Sequence, residues 1–359
     1  MVSISTIGQA QTQIDNLAKL LQQAGDLQTQ AASGKKSQTF AGLGTDALSS
    51  EQSRASLDSL TNYDNNITNG QTRLNIMGSA ITQIQQQASA LSAAMEGQIQ
   101  NGNFDMTSLH SLASNALSFI KNLLNQQDGS NYVFGGADTS TPPMTDGGAL
   151  DTYAQTNITQ WTAGTITTDQ LISSYQDRTQ MTDATMGYSA TLSSGNAKNV
   201  AIKADDNAEV DYTTLANDPS IRNIVAAATM IMNMTGQLNQ VATTGSDPPG
   251  TVTAPGATAS DQQQNFYKVF NDLIGTINTA STGMDQISAK LGYAQSSLQT
   301  IQSDHTLDEN TLQSQIGNAE DVDLNTVAVK LSSLQTQLQA SYQITASLSK
   351  LSLAYILPT

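Results

Sequence analysis

Residues Phe266 to Ile301 read FYKVFNDLIGTINTASTGMDQISAKLGYAQSSLQTI, and the spacing of their apolar residues decides the fold. Phe266, Phe270, Leu273, Ile277, Ala280, Met284, Ile287, Leu291, Ala294, Leu298 and Ile301 recur at steps of four and three. A mean step of about 3.5 residues lines them along one seam of a helix, the signature of coiled-coil packing. A second stripe does the same from Ile67 through Gly70, Leu74, Met77, Ile81, Ile84, Ala88 and Leu91 to Met95. At a rise of about 1.5 Å per residue the stripes are roughly 54 and 43 Å long, well beyond ordinary globular helices. A narrow apolar seam on a polar helix buries little alone, so each needs a partner, within the chain or in another copy.

The flanks extend the pattern. An opening helix is expected over about Ser3 to Ala32, with Ile4, Ile7, Ile14, Leu17, Leu20, Leu21, Ala24 and Leu27 apolar, and it stops at Ser33-Gly34-Lys35-Lys36. Glycine and cations are the residues that end helices. The connector Phe40-Ala41-Gly42-Leu43-Gly44 leads into the first long helix, and a further helix covers about Met106 to Asn125. At the other end the long seam helix is expected to stop near Ser303. A short helix from Leu307 to Ile316 and the acidic turn Glu320-Asp321-Val322-Asp323 follow, then a last helix carrying Val327, Leu331, Leu334, Leu338, Leu348 and Leu351.

The texture changes near Asn131. Tyr132-Val133-Phe134 and Trp161 to Thr167 read as short strands, as does Val200-Ala201-Ile202-Lys203, with Gly, Asn and Asp turns between them. Asp218-Pro219 starts a helix by cap and first-turn proline, expected to run to about Gln240, and Thr243 to Ala259 reads as a Gly/Pro/Thr-rich linker. The expected fold is mainly α with a β-rich insertion. Residues 1–45 and 320–359 would be terminal coiled-coil helices. Residues 46–140 and 260–319 would form a rod-like bundle, and 141–259 a surface-exposed insert. The bundle seam would be Leu74, Ile81, Ile84, Leu91, Ile277, Met284, Ile287 and Leu291. The terminal helices would use Ile4, Ile14, Leu17, Leu21, Leu331, Leu334, Leu338, Leu348 and Leu351. Seams of this kind are often satisfied within one chain, but a two-helix terminal unit is marginal alone and favours stacking of copies.

Composition excludes several functions. Net charge is −16, with 14 basic residues spread along 359, which argues against nucleic acid and against an anionic membrane surface. No apolar run of membrane-spanning length occurs and no basic, then apolar, signal sequence opens the chain. Cysteine is absent, so neither disulfides nor thiolate metal sites can form. The two histidines, His110 and His305, have no metal-binding spacing and read as surface or cap residues. Asp205, Asp206, Glu209 and Asp211 lack the offsets of a calcium loop and read as a hairpin tip. Met230, Met232 and Met234 read as core filler. No acid, base or nucleophile constellation suggests an enzyme, and no cofactor is implied. A surface-binding module remains open if Trp161, Tyr175, Tyr188 and Tyr212 are exposed.

The ends resemble the bacterial flagellin family, over roughly residues 1–140 and 260–357. Ala32-Ser33-Gly34-Lys35-Lys36 is similar to its shared Ser-Gly-Lys/Leu-Arg segment. Asn131 to Pro143, and the tail from Asp321-Val322-Asp323 through Leu338-Gln339-Ala340-Ser341-Tyr342 to Leu351-Ser352-Leu353, resemble segments of its hook–filament junction (hook-associated) members. The resemblance implies a structural subunit in which the terminal helices pair axially, the seam helices form an outer rod and the insert faces solvent. It further implies copies of itself, a hook-side junction protein and filament flagellin as partners, and an extracellular place on the flagellum. An export chaperone and the flagellar type III apparatus would deliver the chain without a cleaved signal. A filament-forming flagellin is the alternative within the family.

Overall fold

The computed structural model describes residues 2–101, 105–145, 148–234 and 258–356. Helix α1 (Val2–Ser33) is followed by a 3-10 turn (Phe40–Leu43), α2 (Asp46–Asn101), α3 (Met106–Leu124) and the hairpin β1 (Gln127–Asp128) with β2 (Asn131–Tyr132). Then come α4 (Gly148–Thr162), α5 (Thr168–Gln176), α6 (Ala190–Ser193), the hairpin β3 (Ala201–Lys203) with β4 (Glu209–Asp211), and α7 (Pro219–Asn233). Helices α8 (Ala259–Glu320) and α9 (Leu324–Ile356) close the chain. The fold is mainly α, with small two-stranded sheets in its central region. Two compact units result: Met1–Asn62 with Asp304–Thr359, and Tyr63–Ser303.

In the second unit α2 and α8 run antiparallel. As positions on α2 rise through Asn75, Gln85 and Ser92, their hydrogen-bond partners on α8 fall through Gln295, Asp285 and Asn278, at 3.3, 2.7 and 3.0 Å. The apolar stripes of both helices are buried in one core with α3 and the insert. The heptad pattern supplies attraction along the whole seam, and these polar pairs mark the register adopted.

The insert is organised around α7. Asp218 caps it through the Ser220 N–H at 2.9 Å, and Pro219 occupies the first turn, where a missing N–H costs nothing. Ile221, Ile224, Val225, Ala226, Ala227, Ala228, Met230 and Ile231 are all buried, as expected of a helix enclosed on every side. It packs on α3, α4 and α5. Its one buried cation, Arg222, donates from Nε to Asp183 Oδ1 at 3.2 Å and to the Met181 carbonyl. Asp183 also accepts from Arg178 and, at 2.8 Å, from Asn217 Nδ2, so this charge is fully paired. The loop between α5 and α6 is thereby fastened to α7. Burial lowers the Arg222 pKa, against the Asp183 charge that raises it.

Several local expectations need correction. The stretch from Trp161 to Thr167 is not a strand: α4 ends there, Gly164 turns the chain at φ 73°, and Thr167 with Gln170 forms a capping box for α5. The Thr-x-x-Gln spacing is a helix-start signal that outweighs the β propensity of Thr and Ile. Among the described residues, 141–234 contains four helices and one hairpin, so the insert contains β structure without being rich in it. Of Tyr132 to Phe134 only Tyr132 lies in a strand, the two-residue β2. Helix α8 continues unbroken to Glu320 in place of a stop near Ser303 and a separate short helix. Asp304-His305-Thr306 contains no glycine or proline to interrupt it, and His305 is buried, not a cap. Helix α7 ends at Asn233, and its expected extension to Gln240 and most of the 243–259 linker lie outside the described residues.

Other expectations agree with the coordinates. β3 and β4 pair Ile202 with Val210, both turned inward, and Asp205 and Asp206 sit at the tip between them. Ile202 meets α2 where Gly70 offers no side chain: a Cβ there would lie 2.2 Å from Ile202 Cδ1. Met230 and Met234 are buried and Met232 packs against the core.

Gly136 combines a left-handed φ of 66° with a close approach, since a Cβ would lie 2.8 Å from the Lys198 carbonyl oxygen. Gly136→Ala should therefore cost about 1–3 kcal/mol in the second unit. Denaturant unfolding followed by fluorescence of Trp161, the chain's one tryptophan, tests this.

Candidate assembly interface

The first unit contains the terminal helix pair, in which α1 packs on α9. From α1 the inward residues are Leu17, Leu20, Ala24 and Leu27, and from α9 they are Val327, Leu331, Leu334 and Leu338. Both sets step by three and four, so the pair is a short coiled coil. Only Ala24, Val327 and Leu334 of these are buried, while the leucines at 17, 20, 27, 331 and 338 are half-buried. Two helices cannot enclose one another, so five of the six seam leucines keep a wet side.

A second apolar set on the same pair faces outward. Ile14 is 53% exposed and Leu21 48%, one heptad apart on α1, while Val329, Tyr342 and Ile344 of α9 are 71%, 51% and 50% exposed. Phe40, Leu48, Leu307 and Leu324 add to this in the same unit. In the second unit only Phe119 and Tyr293 are comparably exposed among the described residues. Exposed apolar side chains concentrated in one unit point to an interaction surface. A groove of about 570 Å³ lies between the two helices, lined by Asp26 and Leu27 of α1 and by Val329, Lys330 and Leu334 of α9.

At the end of the pair, α1 and α9 are tied together. The Lys36 N–H donates to the Glu320 carbonyl at 2.6 Å and the Val322 N–H donates to the Gly34 carbonyl at 2.9 Å, an antiparallel bridge between Lys35 and Asp321. Gly34 provides the φ of 70° that turns the chain out of α1. The Glu320 carboxylate, 8% exposed, accepts from Arg54 Nε at 2.8 Å and Nη2 at 2.7 Å, from Ser50 Oγ at 2.5 Å, and lies 3.3 Å from Lys35 Nζ. Lys35 also pairs with Asp321 at 2.6 Å, while Lys36 pairs with Asp46 at 3.1 Å and donates to the Asn318 carbonyl at 2.7 Å. Asp323 caps α9, accepting from the Asn325 N–H at 2.9 Å.

The expected site residues divide between the units. In the second unit Leu74, Ile81, Ile84, Leu91, Ile277, Met284, Ile287 and Leu291 are all buried in the shared core. In the first, Leu17, Leu331, Leu334 and Leu338 line the seam, while Ile14 and Leu21 lie on the exposed face. The side chains of Ile4, Leu348 and Leu351 lie outside the described residues. Sequence reasoning missed the Glu320 cluster. Its signal was the pairing of a basic helix stop, Lys35-Lys36, with an acidic turn, Glu320-Asp321, at mirrored places in the chain. His110 is exposed and its Nδ1 lies 2.5 Å from the Met232 carbonyl. Among the described residues no cluster of His, Cys, Asp or Glu could hold a metal ion, and no helix is long and apolar enough to cross a membrane.

The Arg54 and Ser50 donors, with Lys35 beside them, hold the Glu320 carboxyl down at about 2 from an ordinary 4.5. A carboxylate whose folded value is depressed contributes stability above its unfolded value and loses it as pH falls through the folded one. The first unit should lose stability between about pH 4.5 and pH 2, and Glu320→Gln should flatten that part of the profile. Thermal melts by circular dichroism test this, with Trp161 fluorescence tracking the second unit separately.

No curated protein sequence matches the chain significantly. A solved structure from Vibrio parahaemolyticus, provisionally described as a flagellar hook-associated protein, matches with a TM-score of 0.45 and 11% identity, covering 77% of this chain and 97% of that one. The family model for the bacterial flagellin C-terminal helical region matches residues 274–356. That span takes in the C-terminal part of the buried seam, Glu320 and the whole of α9. Over residues 274–356 the chain is thus similar to the C-terminal helical region of bacterial flagellins.

Proposed function

We propose that this chain is a structural subunit of the bacterial flagellum, acting at the junction of hook and filament. The observation that carries the reading is the α1–α9 pair. It is similar in part to a flagellin C-terminal region and leaves Ile14, Leu21, Val329, Tyr342 and Ile344 exposed. Copies stacked on this pair would cover those side chains, and burying each large aliphatic group contributes about 1.5–3 kcal/mol before association costs. In this reading residues 1–45 and 320–359 are axial, 46–140 and 260–319 form the rod, and 141–259 face outward. The preference for the junction over the filament comes from the segment Asn131–Pro143 and the tail from Asp321 to Leu353. The partners would be further copies, a hook-side junction protein and filament flagellin, reached by type III export with an export chaperone. The final location would be the extracellular flagellum. The role is structural, with no catalytic step.

The surface-binding reading loses its motivation, because Trp161, Tyr175, Tyr188 and Tyr212 are only 3%, 1%, 5% and 4% exposed. An insert with its aromatics inside serves as a spacer.

The double substitution Ile14→Asp with Leu21→Asp should abolish incorporation into flagella while leaving the monomer's melting temperature within a few degrees, since both side chains are exposed in the free chain. Incorporation at the wild-type level would refute the axial role of this face. Quantitative mass spectrometry of sheared flagella separates the two family readings. A trace amount beside a dominant flagellin is the expected junction result, and dominance of this chain would make it a filament subunit.

A further inference from the structure

We propose that the cluster of Lys35, Arg54, Glu320 and Asp321 is a catch that nucleates the α1–α9 pair, so that ordering of both terminal helices depends on Glu320 being ionised and held. The proposal concerns the free monomer and goes beyond the flagellar reading. It would stand if that reading failed.

The geometry argues for a nucleating role. The helices that must pair are separated by nearly the whole chain: Lys35 and Asp321 are 286 positions apart. Helices α2 and α8 run unbroken to this point and bring the two segments close, so what remains is the cost of ordering α1 and α9 and closing their short connectors, which every later contact must offset. The α1–α9 seam is weakly placed to offset it, with three buried apolar side chains among its eight inward positions. The catch closes the loop at one point, where the first residues after α1 lie against the last residue of α8 and the turn into α9. Once the ends are adjacent, pairing extends from them turn by turn, and each further turn is local. Gln30 Nε2 donating to the Lys36 carbonyl at 2.9 Å continues the tie into α1, and the Asp323 cap continues it into α9.

Glu320 is the member on which the others converge. It takes the bidentate Arg54 fork from α2, the Ser50 hydroxyl from the same helix and Lys35 from the connector. The charged groups around the site are Lys35 and Lys36 after α1, Asp46, Arg54 and Asp58 on α2, and Asp321 and Asp323 between α8 and α9. Neutralising Glu320 removes the anion that Arg54 and Lys35 share and leaves Lys35 tied to Asp321 alone, so acid weakens the catch. Removing its charge also strands the Arg54 fork.

Amide hydrogen exchange with mass spectrometry on the full-length chain at neutral pH provides the test. In Glu320→Gln, protection of α1 and α9 should fall about tenfold or more, with α3 and α7 unchanged, because local opening reports the stability of each segment separately. Arg54→Gln, which alters the half-exposed partner, should reproduce the pattern and guards against a Glu320 variant that fails to fold. Arg54→Lys, which keeps the charge without the fork, should fall between wild type and Arg54→Gln. Unchanged protection of α1 and α9 in both Gln variants overturns the proposal. So does an equal loss across all helices, which would make Glu320 a general stabiliser instead of a nucleus for this pair.

Discussion

The rest of the second unit depends on the antiparallel seam of α2 and α8. Two stripes with a step of about 3.5 residues run along these helices, and nearly every apolar residue of both is buried in one shared core. A regular heptad repeat would tolerate sliding by seven residues, since apolar side chains meet equally well in the shifted position. In the register adopted, Gln85 meets Asp285 and Ser92 meets Asn278. The apolar attraction and the polar pairs beside it come from different residues on the same helices. The insert uses this platform directly, with Ile202 of β3 lying over the space that Gly70 leaves on α2.

The insert solves a different problem. It is too short in regular structure to pack layer on layer, so it encloses one helix, α7, and hangs its loops on a buried charge pair. Arg222 and Asp183 are each almost fully removed from water, which is tolerable only because Arg178, Asn217 and the Met181 carbonyl complete the network. Tyr175 reaches Asp272 Oδ2 on α8 at 2.8 Å, and burial beside that carboxylate pushes its phenol far up. The aromatics are thereby spent on internal packing, which is why the insert offers no aromatic binding face.

The first unit is built on the opposite balance. Its helix pair has few buried side chains and many exposed apolar ones, so its own contacts hold it weakly while its surface favours association. Polar ties at one end, chiefly Glu320 with Arg54, Ser50 and Lys35, take the place of a core. A free chain with a firmly packed insert and a loosely held terminal pair is what an assembling subunit requires, since contacts satisfied in the monomer would not be available to a neighbour.

The sequence by itself determined the helices and their seams. Heptad spacing is a property of near neighbours, and 3.6 residues per turn converts it into a stripe whatever the rest of the chain does. The Asp218-Pro219 start of α7, the hairpin around Asp205 and Asp206, and the basic and acidic stops at Lys35 and Glu320 were legible for the same local reason. Only the tertiary structure decided which stripe of α1 turns inward, Leu17, Leu20, Ala24 and Leu27 and not Ile14 and Leu21. It also decided that Trp161, Tyr175, Tyr188 and Tyr212 are inside, and that Glu320 meets Arg54 266 positions away. These are choices of partner. Burial and charge pairing depend on what a side chain faces, and no local period records which distant segment that is.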